Sequence, residues 1–481
     1  FFFQAEDGIR VVERSRGLGD VYKRQNKPFG FALLIKGMAG TGKTTFALEI
    51  LKRAKNPIYI STRVSPEFLY EQFPWVKEFL PPSNIYDATQ TFFPAMPGAQ
   101  AKRFQVFKYN NVPNFIEIIF EHFQGEEEPT IVIDSWDAVI GYKYPETVQE
   151  ERFSNLITEL VRKTNIKLIL VAENPETSFL DYIVDGLVIN RDIRIKNRRV
   201  RVVEIVKLRS IRINQPYYTY TLESGRFKAF PRYQFQFSSI LIRPEPIPDP
   251  HKEFVSTGIP DLDNFFGGGY KKGSFNLMEV AHGVGDGFLN FIIPLFVNFL
   301  ILGRGIVSIL PEGYSTSRFS SILENFIDKN QYLQQLISFD RLSEDYKPEK
   351  TPFIQPLNSK AGSTFKNIWN KAALLKEKGY NQLLYYFSID KLENMYEENE
   401  ILKELSDHIA YFRGTEDITV ASIREGQPSI EKISHMTDIH WKMRLLNKAL
   451  AIYSIQPESE FQMVTNDTSK GYVTLKLTPL V

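Results

Sequence analysis

No cysteine occurs in the 481 residues, which excludes disulfides and Cys-ligated zinc and fits a reducing interior. Six histidines are scattered without metal-ligand spacing. Neither charge sign is in excess: 58 Lys and Arg stand against 57 Asp and Glu, a net charge of +1. That argues against a globally basic nucleic-acid binder and against the acidic surface of a salt-adapted protein, although local patches stay open. No secretory signal stands out. Long hydrophobic runs are missing too. The most apolar stretch, 288–302, is broken by Asn290, Pro294 and Asn298, and predicts a buried helix with no membrane contact. What remains is a cytoplasmic chain whose 43% hydrophobic content supports real cores and whose length predicts two domains or more.

One motif then dominates. Gly37-Met38-Ala39-Gly40-Thr41-Gly42-Lys43-Thr44 fits G-x-x-x-x-G-K-[ST], the phosphate-binding loop. Its glycines let the backbone wrap a phosphate and aim successive N–H groups inward. Lys43 places a compact positive charge near the β- and γ-phosphates, and the Thr44 hydroxyl is the expected Mg²⁺ ligand. The next helix, with Thr45 in its first turn, points its positive N-terminus at the anion. The context is the required one. Residues 31–35 are an apolar run fit for a buried strand, and Phe46, Ala47, Ile50, Leu51 and Ala54 recur at helical spacing. Residues 37–45 are therefore candidate contacts for ATP with Mg²⁺; a Gly-rich turn is the bland alternative.

Downstream, Ile58-Tyr59-Ile60-Ser61 reads as a second strand. Ile131-Val132-Ile133-Asp134-Ser135 is an apolar strand ending in a carboxylate, the Walker B form, in which Asp134 holds the Mg²⁺ shell. A strand followed by a helix N-cap fits the same residues. Residues 166–173 form the next strand, with Glu173 at its end. Strands alternating with helical segments imply a parallel α/β sheet, with ligands at the carboxyl ends of its strands, where Gly42, Asp134 and Glu173 all fall. Residues 187–189 and 202–209 read as a β-hairpin around a basic turn that runs from Arg194 through Lys196, Arg198 and Arg199 to Arg201. That turn is either a solvated tip or an electrostatic contact for nucleic acid or an acidic partner.

Asp134-Ser135, the strand ending in Glu173, Tyr182-Ile183-Val184-Asp185-Gly186 and the closing Lys207-Leu208-Arg209 resemble the RecA-like ATPases of the KaiC group. The resemblance implies a ring or dimer in which Lys207 and Arg209 act as trans fingers on a neighbour's nucleotide, a fitting use of Arg beside a γ-phosphoryl group. Two exposed strand cations are the simpler alternative. Ser61-Thr62-Arg63-Val64-Ser65-Pro66 and Tyr70-Glu71-Gln72-Phe73-Pro74-Trp75 resemble the archaeal gas-vesicle regulators of the GvpD family, a likeness running from Lys27 to about Arg232. That resemblance implies a regulator of gene expression working through a partner protein. One departure matters. KaiC-like hydrolases carry a Glu-Glu pair after the second strand that orients the attacking water; here Arg63 and Val64 stand in its place. Without that carboxylate general-base catalysis weakens, so nucleotide binding with slow turnover is expected. Glu173 and Asp137 are the residues that could substitute.

After the Pro-rich stretch 243–250, which reads as a stiff linker, Ser256-Thr257-Gly258-Ile259-Pro260-Asp261-Leu262-Asp263 with Gly267-Gly268-Gly269 resembles the opening segment of KaiC-type domains. Residues 277–287 then align with the first loop. Val280 replaces its first glycine, Asp286 its lysine and Gly287 its threonine. A carboxylate where a lysine should neutralise phosphate repels the ligand. The Walker B counterpart, 383–390, places Phe387 where Asp134 stands, with Ser388 and Asp390 matching Ser135 and Asp137; Glu312 reads as a relic of the Glu pair. No Lys-x-Arg match occurs in the late strands at 449–454 and 471–476. Tyr385-Tyr386-Phe387 reads as core.

The fold expected is α/β: two tandem RecA-like P-loop NTPase domains, mostly parallel β-sheets flanked by helices, the second degenerate. The first spans 26–240, a linker 241–253 and the second domain 254–481. Residues 1–25 resemble translated sequencing-adapter read-through and are set aside from the fold. Two functions compete: an ATP-binding regulatory switch acting on a protein partner, and a recombinase-like DNA-binding ATPase that uses the basic turn.

Overall fold

The computed structural model describes residues 30–89, 105–106, 112–123, 125, 127–140, 156–157, 161, 165–174, 176, 178–235, 243–314, 316–342, 353–467 and 474–481. The tail at 1–25 lies outside them. The chain divides into two units, Phe1–Pro231 with Leu480–Val481, and Arg232–Pro479.

The first unit is built on strands β1 (Phe31–Gly37), β2 (Asn56–Ser61), β3 (Ile85–Asp87), β4 (Gln105–Val106), β5 (Pro129–Asp134), β6 (Lys167–Ala172), β7 (Gly186–Ile195), β8 (Arg198–Leu208), β9 (Tyr217–Thr221) and β10 (Lys228–Ala229). Among the described residues they form one sheet in the order β10-β9-β8-β7-β1-β6-β5-β2-β3-β4. The run from β7 to β4 is parallel, whereas β7 to β10 pair antiparallel. Every residue of β1 is buried, because both sheet faces are covered, as parallel strands require. Leu33 and Ile35 pack with Phe46, Ile50 and Leu51 of the helix Lys43–Leu51, while Ala32 and Leu34 pack with Phe115, Ile119 and Trp136 on the other face. Each such large apolar side chain contributes about 1.5–3 kcal/mol when fully buried.

The second unit repeats this plan. Its strands are β11 (Phe254–Val255), β12 (Tyr270–Lys271), β13 (Phe275–Val280), β14 (Gly305–Ile309), β15 (Leu336–Asp340), β16 (Ile354–Pro356), β17 (Leu383–Ser388), β18 (Ile418–Arg424), β19 (Ile439–Leu446), β20 (Ala449–Gln456), β21 (Gln462–Asp467) and β22 (Thr474–Pro479). β11 and β12 pair by themselves; the others form a sheet in the order β16-β15-β14-β17-β18-β13-β19-β20-β21-β22. Strand for strand this is the first sheet again, with β13 in the place of β1. The repeat extends to a defect. The pairing of β7 with β8 slips between Leu187 and Val188, and that of β19 with β20 slips between His440 and Trp441. Leu187 and His440 lie level with Leu34 and Leu277, at matching heights on the two central strands. The chain is thus a tandem pair of RecA-like α/β units.

Two expectations change. The Pro-rich stretch 243–250, expected as a stiff linker, lies inside the second unit. Asn298 on the helix Leu289–Ile301 both accepts from Ile247 N (2.8 Å) and donates to Ile247 O (3.0 Å), and Arg304 grips Asp249 through two nitrogens. Phe387 is likewise not the counterpart of Asp134. Asp134 lies level with Val171 and Ile35, and the same level in the second sheet runs through Met278 and Ser422 to Ser388. A one-residue slip moves a side chain to the other face, and Phe387 does face away, packing with Phe365 and Leu405. Asp390 keeps its match: it accepts from Arg424 N at 2.8 Å as Asp137 accepts from Glu173 N at 2.6 Å. Tyr385, Tyr386 and Phe387 are fully buried core, and the apolar stretch 288–302 is the buried helix expected. Among the described residues no helix is long and apolar enough to cross a membrane.

Gly258 shows how tightly the second unit is closed. Its φ is +77°, and a Cβ there would come within 2.3 Å of the Pro294 carbonyl oxygen. Gly258→Ala should therefore destabilise the protein by about 2 kcal/mol or more, measured as a lower midpoint in urea unfolding.

Candidate nucleotide site

The site is made by strand ends. β1, β6 and β5 run parallel and in register, so Gly37, Glu173 and Asp134 finish at one edge of the sheet. After β1 the chain turns through Gly40 and Gly42, both at φ +76°, into the helix Lys43–Leu51. Gly37 has no room for a side chain, since a Cβ would meet Asn190 O at 2.5 Å. These are the conditions that let a loop curl round a phosphate in front of a helix N-terminus.

Thr44 Oγ1 donates to Asp134 Oδ2 at 2.6 Å, and Tyr59 OH donates to the same oxygen at 2.9 Å. The two expected Mg²⁺ ligands therefore touch. Among the described residues no group of three or more His, Asp or Glu could hold a metal ion; Thr44 and Asp134 are the residues that would hold Mg²⁺, with phosphate and water supplying its other oxygen ligands. Burial pushes the Asp134 carboxyl above its usual range, against the hydrogen bonds from Thr44 and Tyr59 and the charge of Lys43. Lys43 Nζ donates to Met38 O at 2.9 Å. Burial lowers its pKa, opposed by the charges of Glu173, Asp134 and Asp137. Thr41 Oγ1 also donates to Met38 O, at 2.8 Å, so Met38 O ties the loop's own turn. Thr45 is buried on the helix. This donor set fits a Mg-bound nucleoside triphosphate: one ammonium, one hydroxyl, one carboxylate and a helix N-terminus converge on the loop.

The Walker B turn is locked to the end of β2. Ser135 N donates to Thr62 Oγ1 at 2.7 Å, and Thr62 Oγ1 donates to Ser135 O at 2.8 Å. One residue on, Arg63 forms an ion pair with Glu173. The cation that stands in the position of the water-orienting carboxylate thus also engages the nearest substitute for it. Asp137, the other substitute, accepts from Glu173 N.

Lys207 and Arg209 fall elsewhere. Lys207 pairs with Leu187, level with Leu34. That is three residues before Gly37, or roughly 10 Å back along the strand. Lys207 Nζ donates to the carbonyls of Asp181 (2.7 Å) and Tyr182 (3.3 Å), and Arg209 to Tyr182 O (3.1 Å) and Asp185 (3.4 Å). In the isolated chain they bind the end of the helix Leu180–Ile183 and its exit. The basic turn is also less available than its composition implied. Arg198 and Arg201 are buried, while Arg199 pairs with Asp192 at 2.5 Å and Arg191 with Glu204 at 2.6 Å.

Three residues were missed. Arg201 Nη1 donates to Gly40 O at 2.8 Å, Tyr220 OH to Thr41 O at 2.5 Å and Asn190 Nδ2 to Thr41 O at 3.1 Å. They lie 149 to 179 residues from their partners, so no local pattern could have shown them.

At the corresponding place in the second unit the charges are reversed. Asp286 accepts from Tyr314 OH, and Arg424 ends β18 where Glu173 follows β6. Lys442 bridges Glu279 (2.6 Å) and Glu425 (2.5 Å), and Glu425 also accepts from His282 N at 3.2 Å. A carboxylate of the chain itself thus holds a backbone N–H of the loop. Burial would raise the Glu279 pKa, but hydrogen bonds from His440 and Lys442 outweigh it and hold the group below its usual value. Glu312 is exposed beyond β14, and Gln456 ends β20 at the level that Lys207 holds on β8.

This sheet order, with a phosphate loop on the central strand and a carboxylate two strands away, defines the class: a P-loop domain of the RecA type. Comparison with known proteins specifies it further. Residues 23–209 match the P-loop domain of the GvpD gas vesicle protein. The chain is similar to Protein GvpD2 of Halobacterium salinarum, 24% identical over 471 residues and 94% of each chain, and to Protein GvpD1 of the same organism, 23% identical over 518 residues and 94% of each. It is also similar to the circadian clock oscillator protein KaiC of Parathermosynechococcus lividus, 26% identical over 276 residues, covering 54% of this chain and 48% of that one.

Asp134→Asn keeps the hydrogen bonds to Thr44 and Tyr59 within reach but removes the charge. It should weaken Mg²⁺-dependent binding of ATP by roughly tenfold or more and leave binding in EDTA close to wild type, as read by calorimetric titration.

Proposed function

We propose that the chain is a cytoplasmic ATP-binding regulatory protein with one working Mg·ATP site, in its first unit, that switches its contacts with a protein partner according to the nucleotide bound. The observation that carries this is the meeting of Thr44 with Asp134 at 2.6 Å beside Lys43. When bound, Mg²⁺ would supply charge neutralisation at the β- and γ-phosphates. The chain's own part is to orient: the loop N–H groups and Lys43 hold phosphate, and Thr44 and Asp134 hold the metal shell. Hydrolysis is expected to be slow, because Arg63 and Val64 supply no carboxylate for the attacking water and Arg63 engages Glu173. A γ-phosphate that persists suits a switch, whose two states differ in whether that group is present.

The second unit is proposed to bind no nucleotide and to serve as the partner platform. Asp286 in place of lysine, Ser388 in place of the Walker B carboxylate and the Glu425 contact to His282 N support this. The GvpD likeness over nearly the whole chain supports regulation, including control of gene expression, as the setting. The KaiC likeness supports assembly into a ring or dimer in which Lys207 and Arg209 leave their carbonyl partners and reach a neighbour's nucleotide. Their distance from the chain's own loop leaves such a role only in trans. A recombinase-like DNA-binding ATPase is the second reading. The exposed Arg194 and Lys196 favour it, and the buried or paired state of Arg198, Arg199 and Arg201 weighs against it.

Lys43→Ala should abolish ATP binding in calorimetry; undiminished affinity would sink the site. Turnover should be low in the wild type and rise with assembly, followed by ATPase assay beside light scattering. Arg209→Ala should lower it only in the assembled form, and equal loss in a monomer would contradict a trans role. Salt-dependent DNA binding that falls in Arg198→Ala and Arg199→Ala would shift the balance to the second reading.

A further inference from the structure

A phosphate loop works only if its N–H groups point at the ligand, and each peptide is planar, so its carbonyl must then point the opposite way. Those carbonyls need partners of their own when they are shielded from water. In the first unit they have them. Gly40 O, Thr41 O and the peptides they belong to are met from behind by Arg201, Tyr220 and Asn190. These three side chains are 6%, 0% and 2% exposed.

Their placement follows from the sheet. Asn190 is the residue of β7 paired with Gly37, where the loop begins. Arg201 on β8 pairs with both Asp192 and Tyr220, so Arg201 and Tyr220 are neighbours on adjacent strands. Tyr220 is fixed in turn. Its ring stacks on Phe227 at 4.3 Å, and Phe227 packs on Phe46 of the loop's own helix at 4.5 Å. Arg226 pairs with Glu49 on the same helix. The antiparallel extension β8–β10 thus grips both the loop and the helix it leads into.

Resting on the nucleotide-site reading, we propose that Arg201, Tyr220 and Asn190 are positioning residues that preorganise the loop for a nucleoside triphosphate: Tyr220 and Asn190 hold the Thr41–Gly42 peptide with its N–H facing the phosphates, and Arg201 holds the Gly40–Thr41 peptide in the turn that Thr41 N closes on Met38 O at 3.4 Å. Fixing Thr41 O aims Gly42 N–H, while fixing Gly40 O keeps the Thr41 N–H on Met38 O and so holds the curl of the loop. Arg201 also brings a permanent cation to the back of an anion site. The last member of the basic run is on this account part of the ATP site and not a contact for nucleic acid. Preorganisation of this kind raises affinity by removing the ordering cost at binding.

The test is affinity for Mg·ATP and for Mg·pyrophosphate, which lacks the base and ribose, by calorimetry on the full chain. Tyr220→Phe removes one hydroxyl and keeps the ring in its stack, so it should fold. It should weaken both ligands by about tenfold, the scale of one hydrogen bond that orients a charged-ligand contact. Arg201→Gln should weaken them by as much or more. Arg201→Lys, which keeps one donor and the charge, should recover part of that loss; a merely structural role would give no such rescue at unchanged melting temperature. Wild-type binding that Lys43→Ala removes, together with undiminished affinity in Tyr220→Phe and Arg201→Gln, would overturn the brace and leave the site standing. A loss for Mg·ATP without one for Mg·pyrophosphate would also overturn it. Absence of nucleotide binding by the wild type would overturn the site reading and the brace with it.

Discussion

Parallel pairing of β5 with β6 and of β6 with β1 brings Asp134, Glu173 and Gly37 to one edge of the sheet, and the first unit's chemistry depends on that register. A slip of one residue on β5 would send Asp134 to the opposite face and separate it from Thr44. Burial on both sides enforces the register. Ile131 and Ile133 pack with Trp136 and Phe115 on one face, and Val132 packs with the loop helix on the other. The carboxylate is positioned by apolar neighbours that take no part in binding.

The second unit keeps the frame with different residues at the strand ends. Its sheet keeps the strand order of the first and the slip beside the central strand. Large apolar side chains hold that frame, each with enough burial energy to matter on its own. The site residues are few and lie at strand ends, so exchanging Lys for Asp or Glu for Arg there leaves the core untouched. Glu425 on the loop N–H of His282, and Lys442 between two carboxylates, satisfy those polar groups within the chain itself.

The parts of this that were legible in sequence share one property: the signal is local. Eight consecutive residues spell the phosphate loop, and apolar runs ending in Asp134 and Glu173 spell the strands. The Thr44–Asp134 contact followed from motif logic although the two lie 90 residues apart. Other features had no local signature. Arg201 looked like one more cation in a basic turn, and only the pairing of β8 with β7 and β9 shows that it turns inward to Gly40. Tyr220 and Asn190 carry no motif at all. At Phe387 the failure has a different cause: a strand buried on both faces shows no alternation, so sequence alone could not fix which residue stands level with Asp134. The Pro-rich stretch 243–250 misled because its composition resembles a spacer, while the N–H and carbonyl of Ile247 are held by Asn298 and the Asp249 carboxylate by Arg304.

The central claim is an asymmetry: one chain, two copies of a RecA-like frame, one nucleotide site. Equilibrium dialysis of the full chain against a slowly hydrolysed Mg-bound ATP analogue, taken to saturation, tests it most directly. The account predicts one nucleotide bound per chain. Two per chain would contradict it, because the second would have to sit beside Asp286 with neither a loop lysine nor a Walker B carboxylate to hold it.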